Sequence, residues 1–160
     1  MQSDVHVRSL CFLLTCDLGG FHSGPITGLS VAVRKPLVAT SSLDKTVRIW
    51  NYLTNQLEYW KDFSEEVYTV SIHPNGHQIL AGFGDKLRLL NILIDDFRVV
   101  KEFQIWGCKE ASFSNGGHYF AAVHGNIIKI FSSVTFEQVS AMKGHNGRVR
   151  SVVWSADDQK

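Results

Sequence analysis

Apolar residues recur along this chain in a fixed pattern. From His22, apolar side chains stand four, seven and nine positions on, at Ile26, Leu29 and Val31. Forty-one residues later Phe63 is followed in the same way by Val67, Val70 and Ile72. A second step of 41 gives Gln104 with Cys108, Ala111 and Phe113, and a third gives His145 with Val149, Val152 and Trp154. A serine at 30, 71 and 112 keeps the register, and in the fourth copy it falls two places early, at 151. Self-similarity at a period of 20 to 50 residues marks a repeat architecture, in which each copy is one supersecondary unit.

Each copy continues alike. A turn follows, VRKP at 33–36, HPNG at 73–76, SNGG at 114–117 and SADD at 155–158. Asn and Gly tolerate positive φ, so such stretches connect hairpin strands. A second apolar run comes next (37–40, 78–81, 119–122), then a tight turn on Asp44, Asp85 or Asn126. A third run (46–50, 87–90, 127–131) and a more variable fourth (57–60, 97–100, 137–140) close the unit. Short runs bounded by turn residues read as strands, and no stretch carries a sustained helical period. The chain is therefore all-β: a non-repeat segment at 1–21, units at 22–62, 63–103 and 104–144, and the start of a fourth at 145–160.

Composition narrows the function classes. The 160 residues are 44% hydrophobic, enough to offset chain entropy and exclude wholesale disorder. Lys plus Arg number 16 against 15 Asp plus Glu, and the one dense basic stretch runs from 143 to 150, so nucleic acid is not an expected partner. Three cysteines, Cys11, Cys16 and Cys108, form no CxxC pair, which leaves structural zinc without ligands and fits a reducing, intracellular setting. The longest apolar run, at 10–14, falls far short of the ~20 residues a membrane span needs.

Four strands in about 40 residues is the size of a propeller blade. The run SSLDKTVRIWN at 41–51 and the pair GH at 144–145 resemble the WD-repeat family. That resemblance implies a partial β-propeller of three four-stranded antiparallel blades plus the first strand of a fourth. It also implies a buried hydrogen-bonded tetrad of His22, Thr40, Asp44 and Trp50. Asn51 departs from the family's Asp. Unit two keeps only Asp85, opposite Phe63, Ala81 and Leu90; unit three keeps only Asn126, opposite Gln104, Ala122 and Phe131. Because several partners are lost together, apolar packing is expected to hold those two blades. The run HPNGHQILAGFGD at 73–85 resembles the cilia- and flagella-associated members of the family. It implies a non-catalytic scaffold of the ciliary axoneme that supports inner dynein arm assembly and motility. The alternatives are a scaffold of a non-ciliary intracellular complex, or an enzyme with a site at a propeller mouth.

The resemblance further implies that Thr27, Tyr68, Lys109 and Arg150, with Leu43 and the glycines at 84 and 125, line a top rim where protein partners bind. Other constellations invite chemistry and yield to plainer accounts. His22 with Asp44 is half a catalytic triad, but the repeat explains both. GFGDK at 82–86 lacks the phosphate-loop spacing and precedes a strand. His73, His77 and His118 fall in turns expected to face solvent, and His124 adds no metal-ligand spacing. Cys108 replaces a core apolar site, and Glu65 with Glu66 reads as a solvated loop. No cofactor, metal, membrane or small-molecule substrate is expected. A ring needs ~4–8 blades, so three units do not close one; the chain is expected to belong to a longer protein and to be marginal alone. Residues 10–15 are expected to be either an outer strand of a preceding blade or an unpartnered start.

Overall fold

The computed structural model describes residues 20–93 and 96–158, so the expectation for residues 10–15 lies outside the described residues. Among the described residues twelve strands follow one another in three sheets: β1 (Ile26–Val31), β2 (Leu37–Ser42), β3 (Thr46–Asn51) and β4 (Gln56–Asp62); β5 (Thr69–Ile72), β6 (Gln78–Gly82), β7 (Leu87–Ile92) and β8 (Phe97–Phe103); β9 (Ala111–Phe113), β10 (Tyr119–His124), β11 (Ile127–Ser132) and β12 (Gln138–Lys143). Each sheet is an antiparallel meander in sequence order. This is a partial β-propeller of three blades. With the four strands of each blade called a to d in chain order, the b–c turns and d–a loops lie at one end, called the top here, and the a–b and c–d turns at the other.

The cores lie between blades. Strand side chains alternate in direction, so the middle blade has two apolar faces. Ile79, Ala81, Phe83 and Leu90 pack with Ala39, Val47 and Ile49 of blade one. Leu80, Leu87, Leu89 and Phe103 pack with Ala111, Phe113, Phe120 and Phe131 of blade three. Fully burying one such side chain contributes roughly 1.5–3 kcal/mol. Blades two and three approach so closely that an added Cβ on Gly82 of β6 would stand 2.6 Å from the carbonyl oxygen of Cys108, in the loop before β9, and 2.5 Å from Cγ2 of Thr69, its ladder partner in β5.

A polar seam repeats between inner strands. The Ile72 N–H donates to Ser30 Oγ (3.0 Å), and the Phe113 N–H donates to Ser71 Oγ (3.0 Å). Trp154 Nε1 donates to the carbonyl of Ser112 (3.1 Å) at the same spacing of 42 residues. The inner strand of the fourth unit thus occupies its place against β9, although no strand b among the described residues completes a ladder with it. At the top, the N–H groups of Gly107 and Val149 donate to the carbonyls of Gly84 and Gly125, 2.7 and 3.1 Å away. At the bottom, Asp158 accepts from the backbone N–H groups of Asn115 (2.9 Å) and Gly116 (2.6 Å).

Two features were not legible in the repeat. Each c–d ladder shifts register at one place, between Ile49 and Trp50, Leu89 and Leu90, and Ile130 and Phe131. The b–c turns also differ: counted between the last paired residues, blade one leaves five (42–46), blade two four (83–86) and blade three two (125–126). Val38 pairs with Trp50, Ile79 with Leu90 and Phe120 with Phe131, so Leu90 and Phe131 do occupy the tryptophan position.

Candidate functional site

Blade one gathers His22, Thr40, Asp44 and Trp50 into one chain of hydrogen bonds. Trp50 Nε1 donates to Thr40 Oγ1 (2.9 Å), whose hydroxyl is 2.8 Å from His22 Nε2. His22 Nδ1 lies 2.9 Å from Asp44 Oδ2. An indole N–H can only donate and a carboxylate can only accept. With the imidazole neutral, the carboxylate selects one proton order: Trp50 to Thr40, Thr40 to His22 Nε2, and His22 Nδ1–H to Asp44. A fifth member completes it. Thr46 donates its hydroxyl to Asp44 Oδ1 (2.7 Å) and its N–H to the same oxygen (2.9 Å), and its Oγ1 is also 2.8 Å from His22 Nδ1. The Ser23 N–H reaches Asp44 Oδ2 at 2.9 Å. Thr46 follows Asp44 by two in the tight turn, a spacing at which Asp side chains hold turn backbone.

The electrostatics match that order. Burial lowers the His22 pKa below its ordinary value and outweighs the hydrogen bond and charge of Asp44. Burial would raise the Asp44 pKa, but hydrogen bonds from the Thr46 side chain and backbone and from His22 hold it well below the usual carboxylate range. Both side chains are only 4% exposed. Every proton-carrying group is committed inward, so the constellation holds the blade and offers no free nucleophile or base to a substrate.

In blades two and three rings replace this chain. Phe63 meets Phe83 edge-on at 5.2 Å, and the Arg88 guanidinium stands 4.6 Å over the Phe83 ring. Phe103, Phe120 and Phe131 sit at 5.1–5.3 Å from one another, with Phe113 against Phe120 at 5.9 Å. The retained Asp85 has lost its partners: Oδ1 is buried without a hydrogen bond, and Oδ2 is 3.6 Å from Lys86 Nζ. Asn126 instead donates to the carbonyl of His145 (2.9 Å).

The expected rim residues divide. Lys109 and Arg150 are exposed. Tyr68 is half-buried; its hydroxyl donates to Glu66 (2.7 Å), and Lys109 Nζ lies 5.1 Å from the centre of its ring. The bond to Glu66 raises the phenol's pKa. Thr27 is turned inward, its hydroxyl donating to the Val67 carbonyl (2.7 Å) and meeting Ser41 Oγ (2.9 Å), so it serves the seam between blades. Leu43 is half-buried beside the Pro25 carbonyl, which accepts its N–H.

The remaining candidates are placed as follows. His77 and His118 are exposed, but His73 is not a solvent-facing turn residue. Its ring packs edge-on against Phe113 (4.9 Å), and its Nε2 contacts the Gly117 carbonyl (3.0 Å), because the turns of neighbouring blades interlock. His124 Nδ1 contacts the Trp106 carbonyl (2.9 Å). Among the described residues no three His, Cys, Asp or Glu side chains converge as a metal site would require. Cys108 is buried, and burial pushes its thiol up to about 12. Glu65 is engaged with Lys86 and Arg88. Trp106, 68% exposed in the loop before β9, is the surface residue that repeat matching missed; a lone aromatic on the most variable part of each unit has no repeated signature.

Comparison with known proteins agrees with this architecture. The family model described as "WD domain, G-beta repeat" matches residues 2–51. Cilia- and flagella-associated protein 57 of Mus musculus is 60% identical over 139 residues, 87% of this chain and 11% of that protein. Cilia- and flagella-associated protein 57 A of Tetrahymena thermophila is 49% identical over 141 residues, again 87% of the chain and 11% of that protein. The chain thus spans about a tenth of the length of these relatives. Among solved structures, the β-propeller domain of Cps50 (Swd1) from Myceliophteria thermophila superposes with a TM-score of 0.76 at 18% identity, covering 91% of this chain and 49% of that one.

Proposed function

From the WD-repeat match and the propeller blades, we propose that this chain is a non-catalytic scaffold that docks other proteins within the axoneme of cilia or flagella. The observation that carries the scaffold role is the state of its polar groups. The His22, Asp44, Thr46, Thr40 and Trp50 chain is saturated within blade one, whereas Trp106, Lys109 and Arg150 are exposed at the top. A catalytic constellation needs a reactive group within reach of substrate; a docking surface needs exposed anchors on a rigid frame. Tyr68, Lys109 and Arg150 are the proposed rim contacts, with Thr27 and Leu43 supporting them from the seam.

The ciliary setting is supported by the relatives named cilia- and flagella-associated. Within it, we assign the protein to support of inner dynein arm assembly and ciliary movement. A fluorescently tagged copy in multiciliated cells tests this: the account expects signal along the axoneme and impaired beating on depletion. Exclusion from cilia, with normal beating after depletion, would refute it and leave a scaffold of some other complex.

A further inference from the structure

We propose that the top face over blades two and three, from Tyr68 and Trp106 across to Arg150, docks an acidic segment of a partner protein. The inference rests on the docking role above and names the chemistry of its partner.

The first observation is a division of charge. Near blade two the top-face acids are engaged within the chain: Glu65 with Lys86 and Arg88, Glu66 with the Tyr68 hydroxyl, and Asp85 with Lys86. Towards blade three one acid, Glu110, stands half-buried beside Lys109 and is hydrogen-bonded to the Val152 backbone, while the cations are unpaired. Lys109, Lys143, Arg148 and Arg150 are exposed, and none has an acidic partner among the described residues. Lys143 ends β12 opposite Ile127, beside the b–c turn, and Val149 between the two arginines is bonded to Gly125 in that turn. All four therefore lie at the top. In the same part of the chain Asp158 is held at the bottom, on the backbone of Asn115 and Gly116. A cluster of one sign steers and orients a partner of the other.

The second observation is a pinned aromatic anchor. The Trp106 carbonyl contacts His124 Nδ1, and the next N–H, of Gly107, donates to Gly84. The loop is thus fastened to the b–c turn of blade two and to the end of β10 in blade three while the indole stays 68% exposed. An aromatic held in place before binding loses little freedom on contact, and Trp, Tyr and Arg dominate interface hot spots. Around it the backbone is uncovered: a Cβ on Gly107 or Gly125 would meet nothing within 4 Å, and one on Gly84 only Tyr68 Cε2 at 3.8 Å. Lys109 stands over the Tyr68 ring with no protein acceptor on its ammonium, so a carboxylate can join it without displacing it. The partner that fits is an extended acidic stretch with an apolar side chain against Trp106.

The test is fluorescence anisotropy of the whole chain with a fluorescein-labelled peptide in which glutamates flank a central Leu-Phe pair. Binding is expected to weaken steeply as salt rises from ~0.05 to ~0.3 M, because exposed charges are screened over that range. Trp106→Ala is expected to cost about fivefold or more in affinity, and Lys109→Glu with Arg150→Glu to abolish binding. His118→Ala, exposed at the bottom, is expected to change nothing, and circular dichroism melts should match for all variants. Equal binding by the variants, or by a peptide with lysines replacing the glutamates, would overturn the proposal. A duplex DNA bound more tightly than the peptide would overturn its partner class. If the peptide fails while the tagged protein still reaches axonemes, the acidic partner falls and the ciliary scaffold stands. Peptide binding without ciliary localisation would separate the two the other way.

Discussion

Asp44→Ala tests the physics of blade one against blade two, with Asp85→Ala as its counterpart. Asp44 accepts from His22 Nδ1, the Thr46 hydroxyl, the Thr46 N–H and the Ser23 N–H, all within 2.7–2.9 Å. Ser23 is exposed, so water replaces Asp44 there. The other three donors sit around a side chain that is 4% exposed. Each orphaned buried donor costs ~1–3 kcal/mol, and neighbours share relaxation, so a total of about 3–4 kcal/mol is expected. With a urea slope of ~2 kcal/mol/M, the midpoint should fall by about 1.5–2 M. Asp85 accepts no hydrogen bond at Oδ1, and its contact with Lys86 is a long, half-exposed pair. Such pairs contribute ~0–1 kcal/mol, so Asp85→Ala should move the midpoint by no more than ~0.5 M. Urea melts followed by tryptophan fluorescence, run on a length of the protein that closes the ring, decide the matter. Equal midpoint losses in the two variants would refute the assignment of the saturated polar chain to blade one alone.

Acid should weaken the fold in two steps. His22 has a lowered folded pKa, so the unfolded chain binds more protons below pH ~6.5 and stability falls as pH drops through that window; Asp44, depressed in the fold, adds a second loss below the ordinary carboxylate range near pH ~4. Thermal melts across pH 7.5 to 5 should show the first loss, and His22→Gln should flatten it; an unchanged slope would contradict the neutral, buried imidazole. Gly82→Ala should destabilise by roughly 1–3 kcal/mol, because its methyl group meets the Cys108 carbonyl; a neutral urea midpoint would contradict so close an approach of blades two and three. Cys108, buried with its thiol at about 12, should resist iodoacetamide at pH 8 in the native chain and react once urea unfolds it, as peptide mass mapping would show; native labelling would contradict its burial.

The strand order was legible because strands alternate and turns carry Gly, Asn and Asp, and because four copies reinforce one another. The hydrogen-bonded chain in blade one was expected from the resemblance to WD repeats, and the chemistry agreed with it, since its members are residues that must be partnered when buried. Thr46 was missed, although it stands two residues after Asp44, since nothing in a single sequence separates a turn threonine that caps a carboxylate from one that faces water. The unequal b–c turns hid behind a constant period, because flanking residues such as Leu90 and Asn91 both fit a strand. Thr27 sits where the rim was expected, yet its hydroxyl is drawn inward by the Val67 carbonyl of the next blade, a contact visible only once the blades are stacked. Trp106 belongs to a loop, where function is not bound to the repeat.

The central claim is that the chain works by docking proteins on its top face, and affinity capture from ciliated cells with paired variants tests it most directly. One variant carries Tyr68→Ala, Trp106→Ala and Lys109→Ala at the top; the other carries His77→Ala and His118→Ala at the bottom, both exposed. The account predicts that the top variant loses partners that the wild type and the bottom variant retain, with all three melting alike. Retention of the same partners by the top variant, or their loss only in the bottom variant, would contradict it.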